Sequence, residues 1–479
     1  MTTRRTPDTL LPIRFGTDGW RAVIADGFTF DNVARVAQAY ADFVLRQHTK
    51  NGPPAVVVGY DRRFLSEHFA EQVSCILSGN RISVSLFDRD VPTPLVSWAV
   101  RERGAAGGVV ITASHNPATF NGFKLKAAWG GSATPETTAA VEALLDESPA
   151  VSTSPAACSR DALEAETESY RHQLAALVDL ERLRSSGARV VVDPMHGTGG
   201  RWVESFLGGG SLTVETIRAE RDALFGGVAP EPIDRNLGPL KNRVSETRAL
   251  VGLATDGDAD RVGAVSELGV TMTMHEVVPV LLLHLARRRG MTGGVVRTFS
   301  QSVLLKRIAA AHGLPLYETP IGFKYIADLM LRDDILMGAE ESGGIGVRGH
   351  IPERDGILNS LLFLEAVVSS GKTPCELVTQ VHREFGEFYF NRRDLHTEVE
   401  RGQALVNSLA ARPPATVEGH EVTSVETLDG TKLLFRDESW LLFRQSGTEP
   451  VLRIYSEATS VEKREALLDY GARLAQTNA

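Results

Sequence analysis

Residues 107–126 read Gly107-Gly-Val-Val-Ile-Thr-Ala-Ser-His-Asn-Pro-Ala-Thr-Phe-Asn-Gly-Phe-Lys-Leu-Lys126. An apolar strand over 109–111 runs straight into a polar loop carrying Ser114, His115 and Asn116. Pro117 lacks an amide hydrogen and disfavours the helical region for Asn116, so the loop leaves the strand as a turn. A serine at a strand end beside a histidine can be a covalent nucleophile, a phosphate acceptor or simply a turn residue.

Working outward, 31–47 is an amphipathic helix with Val33, Val36, Ala37, Tyr40, Phe43 and Val44 at helical spacing. A strand at 55–59, a helix at 67–77, a strand at 82–87 and a helix from Pro94 lead to the strand at 107–112. This alternation predicts crossover connections and a largely parallel, buried sheet. After a stretch rich in Ala, Ser, Thr and Glu over 132–168, helical at 137–145 and linker-like at 148–159, a second unit begins. Its strand at 188–192 enters Asp193-Pro-Met-His-Gly-Thr-Gly-Gly200, and its strand at 249–254 enters Thr255-Asp-Gly-Asp-Ala-Asp-Arg261. A third unit has a helix at 276–289, strands at 294–298 and 315–318, helices at 303–312 and from Phe323, and a strand at 335–338 entering Ala339-Glu-Glu-Ser-Gly-Gly344. Apolar strands running into loops crowded with functional side chains predict three related α/β units facing one cleft. Beyond about residue 386, strands at 388–395, 431–435, 440–444 and 452–455 and a helix at 461–475 predict an α+β unit.

At 479 residues the chain has room for three or four domains. With 43% hydrophobic and 23% charged residues it has the composition of an ordinary globular protein. A net charge of −9 argues against a general nucleic-acid binder, although local arginines can still hold anionic substrates. Cys75, Cys158 and Cys375 lack metal-ligand or disulfide-framework spacing, which points to a reducing compartment. The first 12 residues lack the apolar core of a signal peptide, and the greasiest run, 277–283, is far short of the ~20 residues that span a bilayer. The expected location is cytoplasmic, with no membrane partner.

Asp256, Asp258 and Asp260 alternate with Gly257 and Ala259, which can aim three carboxylates one way. Such carboxylates repel unless a hard cation neutralises them, and oxygen-only ligands suit magnesium. The alternative is a solvated acidic turn; a calcium loop lacks its helix–loop–helix frame. In Arg444-Gln-Ser-Gly-Thr-Glu-Pro450, the Ser446 and Thr448 hydroxyls, Gly447 and Arg444 suit a phosphate, or else a capped turn. Glu340 and Ser342, backed by Gly343 and Gly344, suit vicinal sugar hydroxyls, or else a helix cap. Phe15-Gly-Thr-Asp-Gly-Trp-Arg21 places Arg21 after a glycine-flanked turn.

In this order, Thr112-Ala-Ser-His-Asn-Pro117, Asp256-Gly-Asp-Ala-Asp-Arg261, Ala339-Glu-Glu-Ser-Gly-Gly344 and Arg444-Gln-Ser-Gly-Thr-Glu-Pro450 resemble the phosphoserine, magnesium, sugar-binding and phosphate-binding loops of the α-D-phosphohexomutases. The resemblance implies three mixed α/β domains (1–152, 153–268, 269–385) and a C-terminal α+β domain of TATA-binding-protein-like topology (386–479). It implies a Ser114 that carries a phosphoryl group, a magnesium ion held by Ser114, Asp256, Asp258 and Asp260, and a glucose 1,6-bisphosphate intermediate that turns over in place. It also implies Lys124 as general acid/base with a lowered pKa, assisted by Arg21, His115 and Arg261. Glu340, Ser342 and Lys324 would contact the sugar, and Arg444, Ser446, Gly447 and Thr448 the distal phosphate. The Glu-Glu-Ser-Gly-Gly form and Gly322-Phe-Lys324 look phosphoglucomutase-like. Gly344 stands where dual phosphomannomutase/phosphoglucomutases often carry histidine, phosphoglucosamine mutases usually have glutamine at the place of Glu341, and Ala339 replaces the family's usual glycine. The expected reaction is glucose 1-phosphate to glucose 6-phosphate, with mannose or glucosamine phosphates as alternatives, in a monomer or homodimer. A metal-dependent phosphatase and a non-catalytic sugar-phosphate binder are the rival readings.

Overall fold

The computed structural model describes residues 13–16, 18–49, 51–154, 160–446 and 450–477. The first domain gathers β1 (Trp20–Val23), β2 (Ala55–Tyr60), β3 (Ser83–Phe87), β4 (Gly107–Ile111), β5 (Phe120–Ala127) and β6 (Arg160–Asp161) into one sheet of order β1-β5-β4-β2-β3-β6. β2 pairs in parallel with β3 and β4, as the strand–helix alternation predicts. The next step departs from that expectation, because β5 returns antiparallel to β4, and β1 pairs antiparallel with β5. The physical reason is length: the residues between Ile111 and Phe120 are too few for the dozen or more that a parallel crossover needs. The sheet is therefore mixed. Val109, Val110 and Ile111 are completely buried, each side chain stabilising the fold by roughly 1.5–3 kcal/mol.

The second domain holds β7 (Arg189–Asp193), β8 (Thr213–Thr216), β9 (Val251–Thr255), β10 (Val262–Ser266) and β11 (Thr271–Met272) in the order β11-β10-β9-β7-β8. The third holds β12 (Gly294–Thr298), β13 (Leu316–Thr319), β14 (Ile335–Ala339) and β15 (Ile345–Val347) in the order β13-β12-β14-β15. In each, two parallel pairings are followed by one antiparallel return: β7 with β8 and β9, then β10; β12 with β13 and β14, then β15. Thus β2–β5, β7–β10 and β12–β15 follow the same path. The Ser114, Asp256 and Glu340 loops are the same connection in each, leaving the sheet at the C-terminal end of a buried parallel strand.

The fourth domain is an antiparallel sheet of order β16-β21-β20-β19-β18-β17, built from β16 (Tyr389–His396), β17 (Thr416–Val417), β18 (His420–Glu426), β19 (Thr431–Phe435), β20 (Trp440–Gln445) and β21 (Val451–Ala458). The helices Val399–Ala411 and Val461–Thr477 pack on it. The first of these helices, β17 and β18 add to the elements expected from sequence; β17 has two residues, and β18 is largely exposed with an irregular register, so their patterns are weak. The domain is seated by the buried Glu457, which accepts hydrogen bonds from Ser302 Oγ (2.5 Å), the Val303 amide (2.9 Å) and Trp440 Nε1 (3.0 Å), and lies 2.9 Å from His275 Nδ1.

The greasy run 277–283 lies inside the buried helix Met274–Leu283. Among the described residues no helix is long and apolar enough to cross a membrane. Cys375 is a free thiol, Cys75 is buried, and Cys158 lies outside the described residues.

Candidate active site

Ser114 is buried and adopts a left-handed backbone, φ 52°. For a non-glycine residue that conformation costs roughly 1–2 kcal/mol, so the surrounding structure must hold it. Arg63 does so. Its guanidinium, fully buried, donates to the carbonyls of Ser114 (2.6 Å), Asn116 (2.7 Å), Pro117 (2.8 Å) and Phe120 (3.0 Å). Asp61 balances its charge at 3.1 Å and also accepts from Thr112 Oγ1, which in turn accepts from the Ser114 amide. The Ser114 hydroxyl is thereby aimed at the second domain, where it donates to Asp256 Oδ2 at 2.8 Å.

Asp256, Asp258 and Asp260 are completely buried, and one carboxylate oxygen from each lies within 4.8 Å of the others. Asp256 Oδ1 accepts the amides of Asp260 and Arg261. Asp258 Oδ2 accepts from Thr93 Oγ1 (2.6 Å) and Lys124 Nζ (2.8 Å). By contrast, Asp258 Oδ1 and Asp260 Oδ1 have no hydrogen-bond partner among the described residues. Unpartnered buried carboxylate oxygens are costly unless something else satisfies them. Burial, with Asp260 and Asp258 beside it, pushes the Asp256 carboxyl well above the usual carboxylate range. The three residues fit a hard divalent cation, the donor set being all oxygen.

Lys124 lies on β5, its ammonium 2.8 Å from Asp258, 2.9 Å from Asp18 and 3.0 Å from Asp260. Here the sequence expectation of a lowered pKa is corrected. Burial alone would lower it, but Asp18, Asp258 and Asp260 outweigh burial and raise it. Lys124 is thus held as an ammonium. Arg21, on β1, donates to Asn116 Oδ1 at 2.7 Å. His115 Nδ1 is 3.4 Å from Ser114 Oγ; burial and the cations Arg261, Arg21 and Lys124 keep its pKa well below the ordinary value, so the ring is neutral at pH 7. Arg261 lies 4.0 Å from Asp260, and its Nε has no hydrogen-bond partner among the described residues.

Two residues central to this network escaped the sequence reading. Arg354 reaches Asp18 (2.6 Å), Asp260 (2.8 Å) and Glu340 (3.6 Å), one from each of the first three domains. Asp18 collects Arg354, Lys124 and Ser132 Oγ (3.1 Å). Burial works against the Asp18 carboxylate, but Arg354 and Lys124 hold it well below the usual range. The only sequence signal was its place between Gly16 and Gly19 in the turn before Arg21.

Glu340 and Ser342 cap the β14–β15 hairpin, closed by the Glu340 amide on the Gly344 carbonyl at 2.9 Å. Ala339 ends β14 outside the left-handed region, so the backbone there does not require glycine. Burial lifts the Glu340 carboxyl to about 7 against the pull of Arg354 and Arg261. Glu341 turns the other way, to Arg392 of the fourth domain at 3.1 Å. Lys324 follows Gly322 at the start of the helix Phe323–Arg332 and, with Asp18 and Ser132, lines a cavity of about 280 Å³. Arg444 is anchored by Asp429 at 3.0 Å, and Asp429 also accepts the Ile321 amide, which ties the fourth domain to the third. Ser446 is buried beside it, its amide donating to the Val451 carbonyl. Gly447 and Thr448 lie outside the described residues.

Family models described as phosphoglucomutase/phosphomannomutase alpha/beta/alpha domains I, II and III match residues 12–151, 168–269 and 274–385, and the C-terminal domain of the same family matches 399–473. The chain belongs to the phosphoglucomutase/phosphomannomutase family. A Thermococcus kodakarensis protein named phosphoglucomutase/phosphomannomutase is 31% identical, over 96% of this chain and 98% of that one. A Methanosphaera stadtmanae protein described as a probable phosphoglucosamine mutase is 30% identical, over 94% and 96%. A crystal structure of a Thermus thermophilus protein described as a putative phosphomannomutase superposes with TM-score 0.86 at 39% identity, covering 97% of this chain and 99% of that one. The protein is a family enzyme, an intramolecular phosphotransferase acting on hexose phosphates.

Proposed function

We propose that the enzyme interconverts glucose 1-phosphate and glucose 6-phosphate through a phosphorylated Ser114. The observation that carries this reading is the Ser114 hydroxyl 2.8 Å from Asp256, in a buried cluster with Asp258, Asp260 and Lys124. A phosphoryl on Ser114 passes to the free hydroxyl of the bound monophosphate, giving glucose 1,6-bisphosphate; the sugar turns, and its other phosphate returns to Ser114. Asp256, Asp258 and Asp260 would hold Mg²⁺, which when bound neutralises the charge that builds on the transferring group. Lys124, an ammonium among carboxylates, donates a proton to the leaving oxygen and recovers it from the attacking hydroxyl. Arg21, His115 and Arg261 orient the phosphoryl oxygens. Glu340 and Ser342 grip two equatorial hydroxyls near the middle of the ring, with Lys324 beside them. Arg444, Ser446, Gly447 and Thr448 clamp whichever phosphate is not reacting.

Glucose is favoured by the Glu340-Glu-Ser-Gly-Gly344 sequence and by Gly322-Phe-Lys324. Mannose phosphates are the second reading, because the Thermococcus relative carries both names. The test is kcat/KM for glucose, mannose and glucosamine 1-phosphates with Mg²⁺ and catalytic bisphosphate. Glucose should lead; a lead for mannose or glucosamine phosphate would overturn the assignment of substrate.

A further inference from the structure

The motif Asp193-Pro-Met-His-Gly-Thr-Gly-Gly200 supplies no residue to the proposed sugar site, yet it lies against the back of the aspartate loop. Gly197 makes one of these contacts. A Cβ placed there would lie 2.7 Å from the Gly257 carbonyl oxygen, 2.8 Å from that of Asp256 and 2.9 Å from Gly257 Cα. All three neighbours are main-chain atoms, so no side chain can swing aside. Gly197 is not among the residues with left-handed φ. Backbone conformation therefore does not demand glycine here, and the lack of space does.

The same peptide is gripped from its other sides. The Thr198 amide donates to the Gly257 carbonyl at 3.0 Å, and the Gly257 amide donates to the Pro230 carbonyl at 3.2 Å. On the opposite face, a Cβ on Gly257 would lie 2.5 Å from the Ser114 carbonyl oxygen. Three loops are thus stacked main chain on main chain: the Asp193 loop, the aspartate loop and the serine loop.

We propose that Gly197 is a positioning residue that sets where Asp256 and its neighbours stand relative to Ser114, through direct contact of the Asp193 loop with the Asp256–Gly257 peptide. The inference rests on the reading that the three aspartates hold a divalent cation. An alanine at 197 pushes the Asp256–Gly257 peptide toward the serine loop and misaligns the carboxylates, without touching any ligand atom.

Calorimetric titration with Mg²⁺ alone tests this. Wild-type protein that binds no Mg²⁺ overturns the metal reading itself. If wild type binds, Gly197→Ala should weaken the Kd roughly 10–100-fold, the usual effect of disturbing the groups that orient metal ligands. It should lower kcat while leaving KM for glucose 6-phosphate unchanged. Gly208→Ala is the control, because a Cβ there meets nothing within 4 Å; its Mg²⁺ affinity should match wild type. A Gly197→Ala protein with the wild-type Kd, even one that melts earlier, overturns the proposal. Should that variant not fold, hydrogen exchange on the wild type decides: Mg²⁺ should slow exchange of the Thr198 amide, and an unchanged rate overturns the proposal equally.

Discussion

Ser114 and Asp256 meet across a domain boundary, hydroxyl to carboxylate, at 2.8 Å. Neither loop makes this pair alone. Ser114→Ala removes the hydroxyl but leaves its carbonyl on Arg63, so the fold should keep its melting temperature. Turnover should fall to background, and the protein should no longer take up phosphate from glucose 1,6-bisphosphate, read by intact mass. A phosphatase using the aspartates would keep its hydrolytic activity in this variant, which separates the two readings.

The unpartnered oxygens of Asp258 and Asp260 predict stabilisation by metal. At free Mg²⁺ a hundred times its Kd, binding to the folded state alone adds ~2.7 kcal/mol. Thermal melts with and without Mg²⁺ should show this as a rise in Tm that chelation reverses. Asp258→Asn should abolish both the rise and turnover.

Glu340 predicts a pH dependence. Its carboxyl is lifted by burial from 4.5 to about 7. Below pH 4.5 folded and unfolded chains both carry the proton. As pH rises to 7 the unfolded chain loses it first, so this residue lowers stability progressively, by about 3 kcal/mol at pH 7 and above. Glu340→Gln removes that term. Urea melts across pH 4.5–8 should show the variant gaining on wild type through this window; parallel curves would contradict the assignment.

Arg63 predicts a coupled loss. Arg63→Met strands four carbonyls, each worth roughly 1–3 kcal/mol when buried and unsatisfied, and leaves Asp61 unpaired. Denaturant melts should show a loss of several kcal/mol. Arg63→Lys should recover part of the stability but not kcat, because one ammonium cannot span the loop and Ser114 Oγ drifts; a 1 Å error costs about 10²-fold.

The strand–helix alternation and the loops at strand ends were legible because both are local: apolar runs with period 2 or 3.6, then clustered polar residues. β5 was not. Its core face, Phe123 and Leu125, alternates with Lys124 and Lys126, and buried lysines read as loop or surface. Only the fold reveals that Lys124 meets Asp18, Asp258 and Asp260, and that Lys126 meets Glu353 at 2.6 Å. Arg63, Thr93 and Arg354 were invisible for the same reason. Each acts on a partner more than 50 residues away, such as Asn116 for Arg63 and Asp258 for Thr93, and no window of sequence contains both members. The Lys124 pKa rises instead of falling because its three carboxylate neighbours come from two domains, and only the fold gathers them.

The recurrence of one strand path in the first three domains has a further consequence. Counting three residues past the last residue of β4, β9 and β14 gives Ser114, Asp258 and Ser342. One template, used three times, has been given three trades. No single copy retains the whole reaction, so the chain resembles a workshop more than a repeat array: each bench is built alike, and the craft lies in the bringing together.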